Sequence, residues 1–178
     1  NKSELEKILK IKFKKNNFLI IFHPTTLETG TAKKQFNNIL YSIKKFKDTN
    51  FYFSHSNADP GANIISELAK SFVKKNRNIS VYFKSLGQIK FLSLMKYSNV
   101  VIGNSSSGIL EAPTLKIPVV NIGNRQKNRL ISSNVINCDT NKIAIYNAIK
   151  KSMSKKFFKD LKSNSVYGKA GASKKCLN

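Results

Sequence analysis

Val100-Val101-Ile102-Gly103-Asn104-Ser105-Ser106-Ser107-Gly108-Ile109-Leu110-Glu111-Ala112-Pro113 gives the first firm reading of the chain. Three β-branched residues form a short strand, a polar loop bounded by two glycines follows, and the apolar spacing then turns helical. A strand that feeds a helix through such a loop is the opening of a βαβ unit. The loop gathers backbone N–H groups and hydroxyls at a helix N-terminus, where an anion is favoured. One residue, Asn104 or Ser105, would suffice as a helix cap. Four such residues in a row, between glycines that let a ligand approach the backbone, point instead to phosphate. Glu111, further along the helix, could accept the two hydroxyls of a ribose or stand as an ordinary surface acid.

The same alternation extends in both directions. Upstream, Phe18 to Phe22 is a continuous apolar run of strand length that stops at His23-Pro24. Residues 31–47 then carry Phe36, Ile39, Leu40, Ile43 and Phe46 at helical spacing. Further strands are expected at 51–53, 79–83, 118–122 and 135–138, further helices at 63–76, 88–97 and 141–153, and a loop and helix over 104–115. Short apolar strands alternating with longer helices predict an α/β fold, a doubly wound, Rossmann-like parallel sheet covered on both faces. Ligands of such sheets bind at the carboxyl ends of the strands. No repeat or low-complexity linker divides the 178 residues, which suit one domain. The Lys-, Ser- and Gly-rich tail from Phe157 reads as irregular, with a short helix.

Composition narrows the classes. The chain carries 32 Lys+Arg against 9 Asp+Glu, a net charge of +23, and a pI of about 10.1. With 40% hydrophobic residues it can build a core, which excludes a disordered basic tail. No apolar run approaches the roughly 20 residues of a membrane span, and the opening NKSELEKILK is amphipathic rather than a signal sequence. A soluble, cytoplasmic protein without membrane association is expected. Cys138, Cys176, His23 and His55 make neither a disulfide framework nor a zinc site, so no metal and no cofactor are expected. All but three of the cations are lysine, dispersed along the polar sides of the helices. That pattern argues against nucleic acid, whose recognition favours arginine, and for a solvated face.

Three further loops follow strands. Asn121-Ile122-Gly123-Asn124-Arg125-Gln126-Lys127-Asn128-Arg129 holds two of the three arginines, and the guanidinium fork clamps a diphosphate better than an ammonium does. His23-Pro24-Thr25-Thr26 offers a His to a phosphate or a leaving oxygen, although a lone His beside Pro is more often structural. Ser54-His55-Ser56-Asn57-Ala58-Asp59-Pro60-Gly61 offers Asn57 and Asp59 but also reads as a turn.

Taken together, these loops resemble the carboxy-terminal domain of the hydrolysing UDP-N-acetylglucosamine 2-epimerases of sialic-acid pathways. The family pattern H-P-x-T, P-N-x-D-x-G, K-x6-F, G-N-S-S-x-G-x-x-E and G-x-R-Q-x-G-R is matched in order. The matching stretches are His23 to Thr26, Ser56 to Gly61, Lys84 to Phe91, Gly103 to Glu111 and Gly123 to Arg129. Ser56 stands where the pattern often has Pro, and Asn128 where it often has Gly. The resemblance implies one half of a two-domain, glycosyltransferase-B-like architecture, with a UDP-sugar in the cleft. It implies that Ser105, Ser106 and Ser107 hold the diphosphate, that Glu111 accepts the ribose hydroxyls, and that Leu86 lies beside the uracil. By the same resemblance His23 and Arg125 face the diphosphate, with His23 catalytic, and Asn57 sits near the uridine.

The chemistry implied is elimination of UDP with proton loss at C2, then hydration of the glycal to N-acetylmannosamine. The residues offer no paired carboxylates for that acid and base work. The family carries them on an amino-terminal domain of the same enzyme, so the chain alone is expected to bind UDP and turn nothing over. A homo-oligomer is expected of the full-length enzyme. An epimerase of a related modified UDP-sugar, or a noncatalytic basic nucleic-acid-binding module, are the alternatives.

Overall fold

The structure, a computed structural model, describes residues 1–25, 30–56, 59–161 and 165–167. Six strands form one parallel sheet: β1 (Asn16–Ile21), β2 (Thr49–Ser54), β3 (Ser80–Phe83), β4 (Val100–Gly103), β5 (Val119–Ile122) and β6 (Val135–Cys138). Their spatial order is β3-β2-β1-β4-β5-β6, with every pairing parallel. This is the doubly wound, Rossmann-like arrangement expected, and the order reverses direction between β1 and β4.

The apolar runs are continuous because both faces of the sheet are covered. Phe18, Ile20 and Phe22 point to one face, where α2 (Ala32–Ile43), α3 (Ala62–Lys75) and α6 (Lys142–Ser152) pack through Phe36, Ile39, Ile43, Phe72, Ile145 and Ile149. Leu19 and Ile21 point to the other, against α1 (Lys2–Leu9) and α4 (Gln88–Tyr97) through Leu5, Leu9, Leu94 and Met95. The amphipathic opening therefore becomes a core helix. Its first turn is closed by a capping box in which the Asn1 side chain takes the Glu4 N–H and Glu4 reaches back.

One expected helix is much shorter than its pattern. Within the loop and helix expected over 104–115, α5 covers only Ser107–Leu110, and turns continue to Lys116. Pro113 has no N–H for the Ile109 carbonyl and its ring crowds that carbonyl. The chain widens in response, with the Ala112 N–H reaching the Ser107 carbonyl at 3.0 Å. The short tail helix is α7 (Lys155–Lys159). Among the described residues, no helix is long and apolar enough to cross a membrane.

Two weak acids, one buried and one half-buried, hold their protons above their usual range. Burial pushes the Tyr52 phenol from 10.0 to about 12, even though Asn50 donates to it. Burial, with Asp139 beside it, pushes the Cys138 thiol from 9.0 to about 12. In both cases the folded state holds its proton more tightly than the unfolded state, so their contribution is complete below pH about 9 and is lost as pH rises toward 12. Denaturant midpoints should fall over that window, and Cys138→Ala should flatten the first part of the fall. A midpoint that stays level would contradict both assignments. The protonated thiol also predicts slow alkylation of Cys138 in the native chain at pH 8, read by mass spectrometry.

Candidate functional site

The carboxyl ends of β1 and β4 lie side by side, with Ile21 in register with Gly103. They approach so closely that a Cβ on Gly103, which has φ +143°, would stand 1.9 Å from the Ile21 carbonyl oxygen. Only glycine fits there, and the fit delivers the next residue, Asn104, into the seam. Asn104 is 1% exposed. Its backbone N–H donates to the Ile21 carbonyl at 3.1 Å.

The Asn104 side chain faces a residue 81 positions earlier. Its Oδ1 accepts the His23 backbone N–H at 2.8 Å, and its Nδ2 donates to the His23 carbonyl at 2.8 Å. The Asn104 carbonyl in turn accepts from Arg125 Nη1 at 3.3 Å and from Gln126 Nε2 at 2.8 Å. One buried asparagine thus ties the loops that follow β1, β4 and β5. A cap role for Asn104 is thereby set aside, since its amide is spent on His23.

The remaining sequence candidates fall around this knot. His23 is half-buried, and its Nδ1 lies 3.3 Å from the hydroxyl of buried Ser56 in the loop after β2. Arg125 Nη2 lies 4.0 Å from Asp59 Oδ2 of that same loop, at the outer limit of an ion pair. Ser105, Ser106 and Ser107 are half-buried at the start of α5. The Ser105 hydroxyl accepts the Ser107 N–H at 3.3 Å, a local turn bond, whereas Ser106 at the N-cap position makes no side-chain cap. Glu111 ends α5 half-buried, and its Oε2 is buried without a hydrogen-bond partner. A buried carboxylate oxygen that accepts nothing is costly, so the position suits a ligand donor.

Leu86 packs partly buried against the α4 side of the sheet. With Ser54, Lys84 and Phe91 it lines a shallow depression of about 210 Å³ at the ends of β2 and β3. Asn57 lies outside the described residues, as does Thr26. The two arginines of the β5–β6 loop part company. Arg125 joins the Asn104 knot, while exposed Arg129 lines a separate depression of about 410 Å³ beyond β5 and β6, with Lys127, Asn137 and Asp139.

Gln126 and Ser56 were missed as site residues. Both are buried polar side chains in otherwise exposed loops, at 4% and 1% exposure, and both touch a member of the knot. Gln126 stands at the Gln of the G-x-R-Q-x-G-R pattern and Ser56 where the P-N-x-D-x-G pattern often has Pro, so the sequence signal was there for both in the motifs as well as in their polar loops at strand ends.

Fold and site together define a doubly wound Rossmann-like domain with a polar, cation-bearing cluster of loops at the point where strand order reverses. A family model described as UDP-N-acetylglucosamine 2-epimerase matches residues 1–178, and the chain belongs to that family. It is 40% identical over 157 residues to a GDP/UDP-N,N'-diacetylbacillosamine 2-epimerase (hydrolyzing) of Campylobacter jejuni, covering 88% of this chain and 40% of the relative. It is 41% identical over 167 residues to the polysialic acid biosynthesis protein P7 of Escherichia coli, covering 93% of this chain and 42% of that protein. The chain therefore spans about two fifths of the length of these curated relatives. Among solved structures, the S. aureus MnaA-UDP co-structure superposes with a TM-score of 0.74 at 16% identity, covering 100% of this chain and 47% of that one. That likeness concerns the fold alone.

Proposed function

We propose that this chain is the UDP-binding domain of a hydrolysing UDP-N-acetylglucosamine 2-epimerase, the carboxy-terminal half of a longer enzyme. The observation that carries the reading is the Asn104 knot. It gathers His23 and Arg125 beside the Ser105–Ser107 loop at the switch point, where doubly wound sheets bind ligands. Arg125 and the N–H groups around Ser106 and Ser107 would hold the diphosphate, and the unpartnered Glu111 oxygen would accept ribose hydroxyls. Leu86 and Asn57 would flank the uridine.

In the whole enzyme, cleavage of the C1–O bond would put negative charge on the departing UDP. Fixed positive charge from Arg125 and a donor from His23 would stabilise that charge as it develops. The C2 proton and the water added to the glycal would be handled from an amino-terminal domain across the cleft, where the family carries its acid and base. The product would be free N-acetylmannosamine. A second reading of the sugar, a diacetamido-trideoxy hexose, is favoured by the 40% identity to the Campylobacter jejuni enzyme.

Titration calorimetry with UDP, UDP-N-acetylglucosamine and the UDP-diacetamido sugar tests the reading. One-site binding of all three with similar affinity is expected, because the nucleotide supplies the contacts. Arg125→Ala should weaken UDP by about tenfold to a hundredfold, the loss of one charge-assisted contact. Binding that is indifferent to Arg125, Ser105 and Glu111 would sink the assignment.

A further inference from the structure

We propose that the outer face of α2 and α6 is a docking surface for an acidic, amphipathic segment of a partner protein. Neither helix contains a carboxylate: α2 reads AKKQFNNILYSI and α6 reads KIAIYNAIKKS. Their first turns carry Lys33 and Lys34 on α2 and Lys142 on α6, and no acid. Cations at a helix N-terminus oppose the helix dipole, so local helix energetics do not account for the placement.

The lysines ring an apolar surface rather than open solvent. Tyr41 is 49% exposed and Ile143 is 67% exposed. The Lys45 and Lys142 ammoniums stand 4.8 and 4.9 Å from the Tyr41 ring centroid, one from just past the end of α2 and one from α6. Two depressions adjoin Tyr41. One, of about 320 Å³, is floored by Ile143 and Tyr146 between those two lysines. The other, of about 350 Å³, lies between α2 and the adjoining α3 and holds Leu40 and Phe72 with Lys44 and Lys75 at its edge, and the Lys44 ammonium lies 5.3 Å from the Phe72 ring. The two are lined by four lysines and no carboxylate.

The surface is also preorganised. Ser42 Oγ donates to the Lys142 carbonyl at 2.8 Å and Asn38 Nδ2 to the Thr140 carbonyl at 2.9 Å, which fixes the two helices against each other. A surface already fixed loses little freedom when a partner binds.

Charge and shape select the occupant. Concave apolar floors take apolar side chains, and the ammoniums around them take carboxylates flanking those side chains. A second copy of the chain would bring the same lysines to the contact, and a net charge of +23 makes that meeting repulsive. Nucleic acid fits less well. The three arginines, Arg77, Arg125 and Arg129, lie on neither helix, and a base stacking on Tyr41 would have to displace the ammoniums over its ring. The residues of this face are none of those in the Asn104 knot, so the proposal does not depend on the nucleotide reading.

The test is fluorescence anisotropy of the 178-residue chain with three labelled probes at near-physiological salt. They are a helical peptide with Leu and Phe at i, i+3, i+4 and i+7 among glutamates, a sister of equal charge with serine at those positions, and oligo(U) RNA. The amphipathic peptide should bind at least about tenfold more tightly than either of the other two, as buried apolar anchors dominate such contacts. Tyr41→Ser with Ile143→Ser, which leaves the charge unchanged, should erase that advantage while far-UV circular dichroism stays the same. Should that variant misfold, amide chemical-shift changes on the unmodified chain must cluster on α2, α6 and the α3 residues that line the second depression, and saturating UDP must leave them in place. Equal binding of the two peptides, tighter binding of RNA, or shifts spread away from these residues would overturn the proposal.

Discussion

Asn104→Ala should destabilise the chain by about 3 kcal/mol, because it strands a buried N–H and a buried carbonyl of His23 that had 2.8 Å partners. Urea unfolding reads that loss directly. On the proposed function the same change should also weaken UDP by more than tenfold, measured where the variant is still folded, because His23 and Arg125 would no longer be held together. Asn104→Asp refines the test. At neutral pH a carboxylate keeps the acceptor for the His23 N–H but sets a second acceptor against the His23 carbonyl, so it should fare no better than alanine. Acidification protonates that carboxyl and restores a donor. The variant's stability relative to the parent should therefore rise as pH falls through its titration. A variant as stable as the parent at pH 7 would show that the knot contributes little.

Gly103→Ala should be the most damaging single methyl in the chain, costing more than about 3 kcal/mol, in the range of severe core changes. The added carbon would meet the Ile21 carbonyl at 1.9 Å and the Ile21 carbonyl carbon at 2.5 Å, both of them backbone in the neighbouring strand. Neither can swing aside without breaking the β1–β4 ladder, and φ +143° adds strain of its own. Gly108→Ala is the instructive contrast. There the new methyl would stand 2.8 Å from Val119 Cγ1, a side-chain atom. That overpacking should cost about 1–2 kcal/mol and leave the fold intact. Thermal melts of the two variants separate backbone collision from side-chain crowding, and equal losses would refute the distinction.

The fold was legible because its evidence is local. In Phe18–Phe22 and Val100–Ile102 every side chain is wanted by one face of the sheet or the other, so the apolar run is itself the strand signal. Helix phase was equally plain in Phe36, Ile39 and Ile43. The helix expected to run on to Leu115 ends at Leu110, ahead of Pro113, where a breaker outweighed the apolar spacing.

The site was legible only in part. His23, Ser105 and Arg125 could be nominated from their places after strands. What brings two of them together is Asn104, and its role depends on where the chain lies 81 residues earlier. No local pattern distinguishes an asparagine that caps a helix from one that ties three loops. Arg129 matched Arg125 in residue type and loop yet lies in another depression, because the turn at Asn128, with φ 68°, carries it outward. The lysine excess also reads differently in three dimensions. Around Tyr41 and Ile143 it is organised about exposed apolar groups, a juxtaposition that dispersed sequence positions do not reveal.

The most direct measurement is calorimetric titration of the 178-residue chain with UDP, beside Arg125→Ala and Glu111→Gln. The account predicts one UDP per chain, marked weakening in both variants, and the same affinity when the sugar is attached. No heat with UDP, or equal binding by all three proteins, would contradict it.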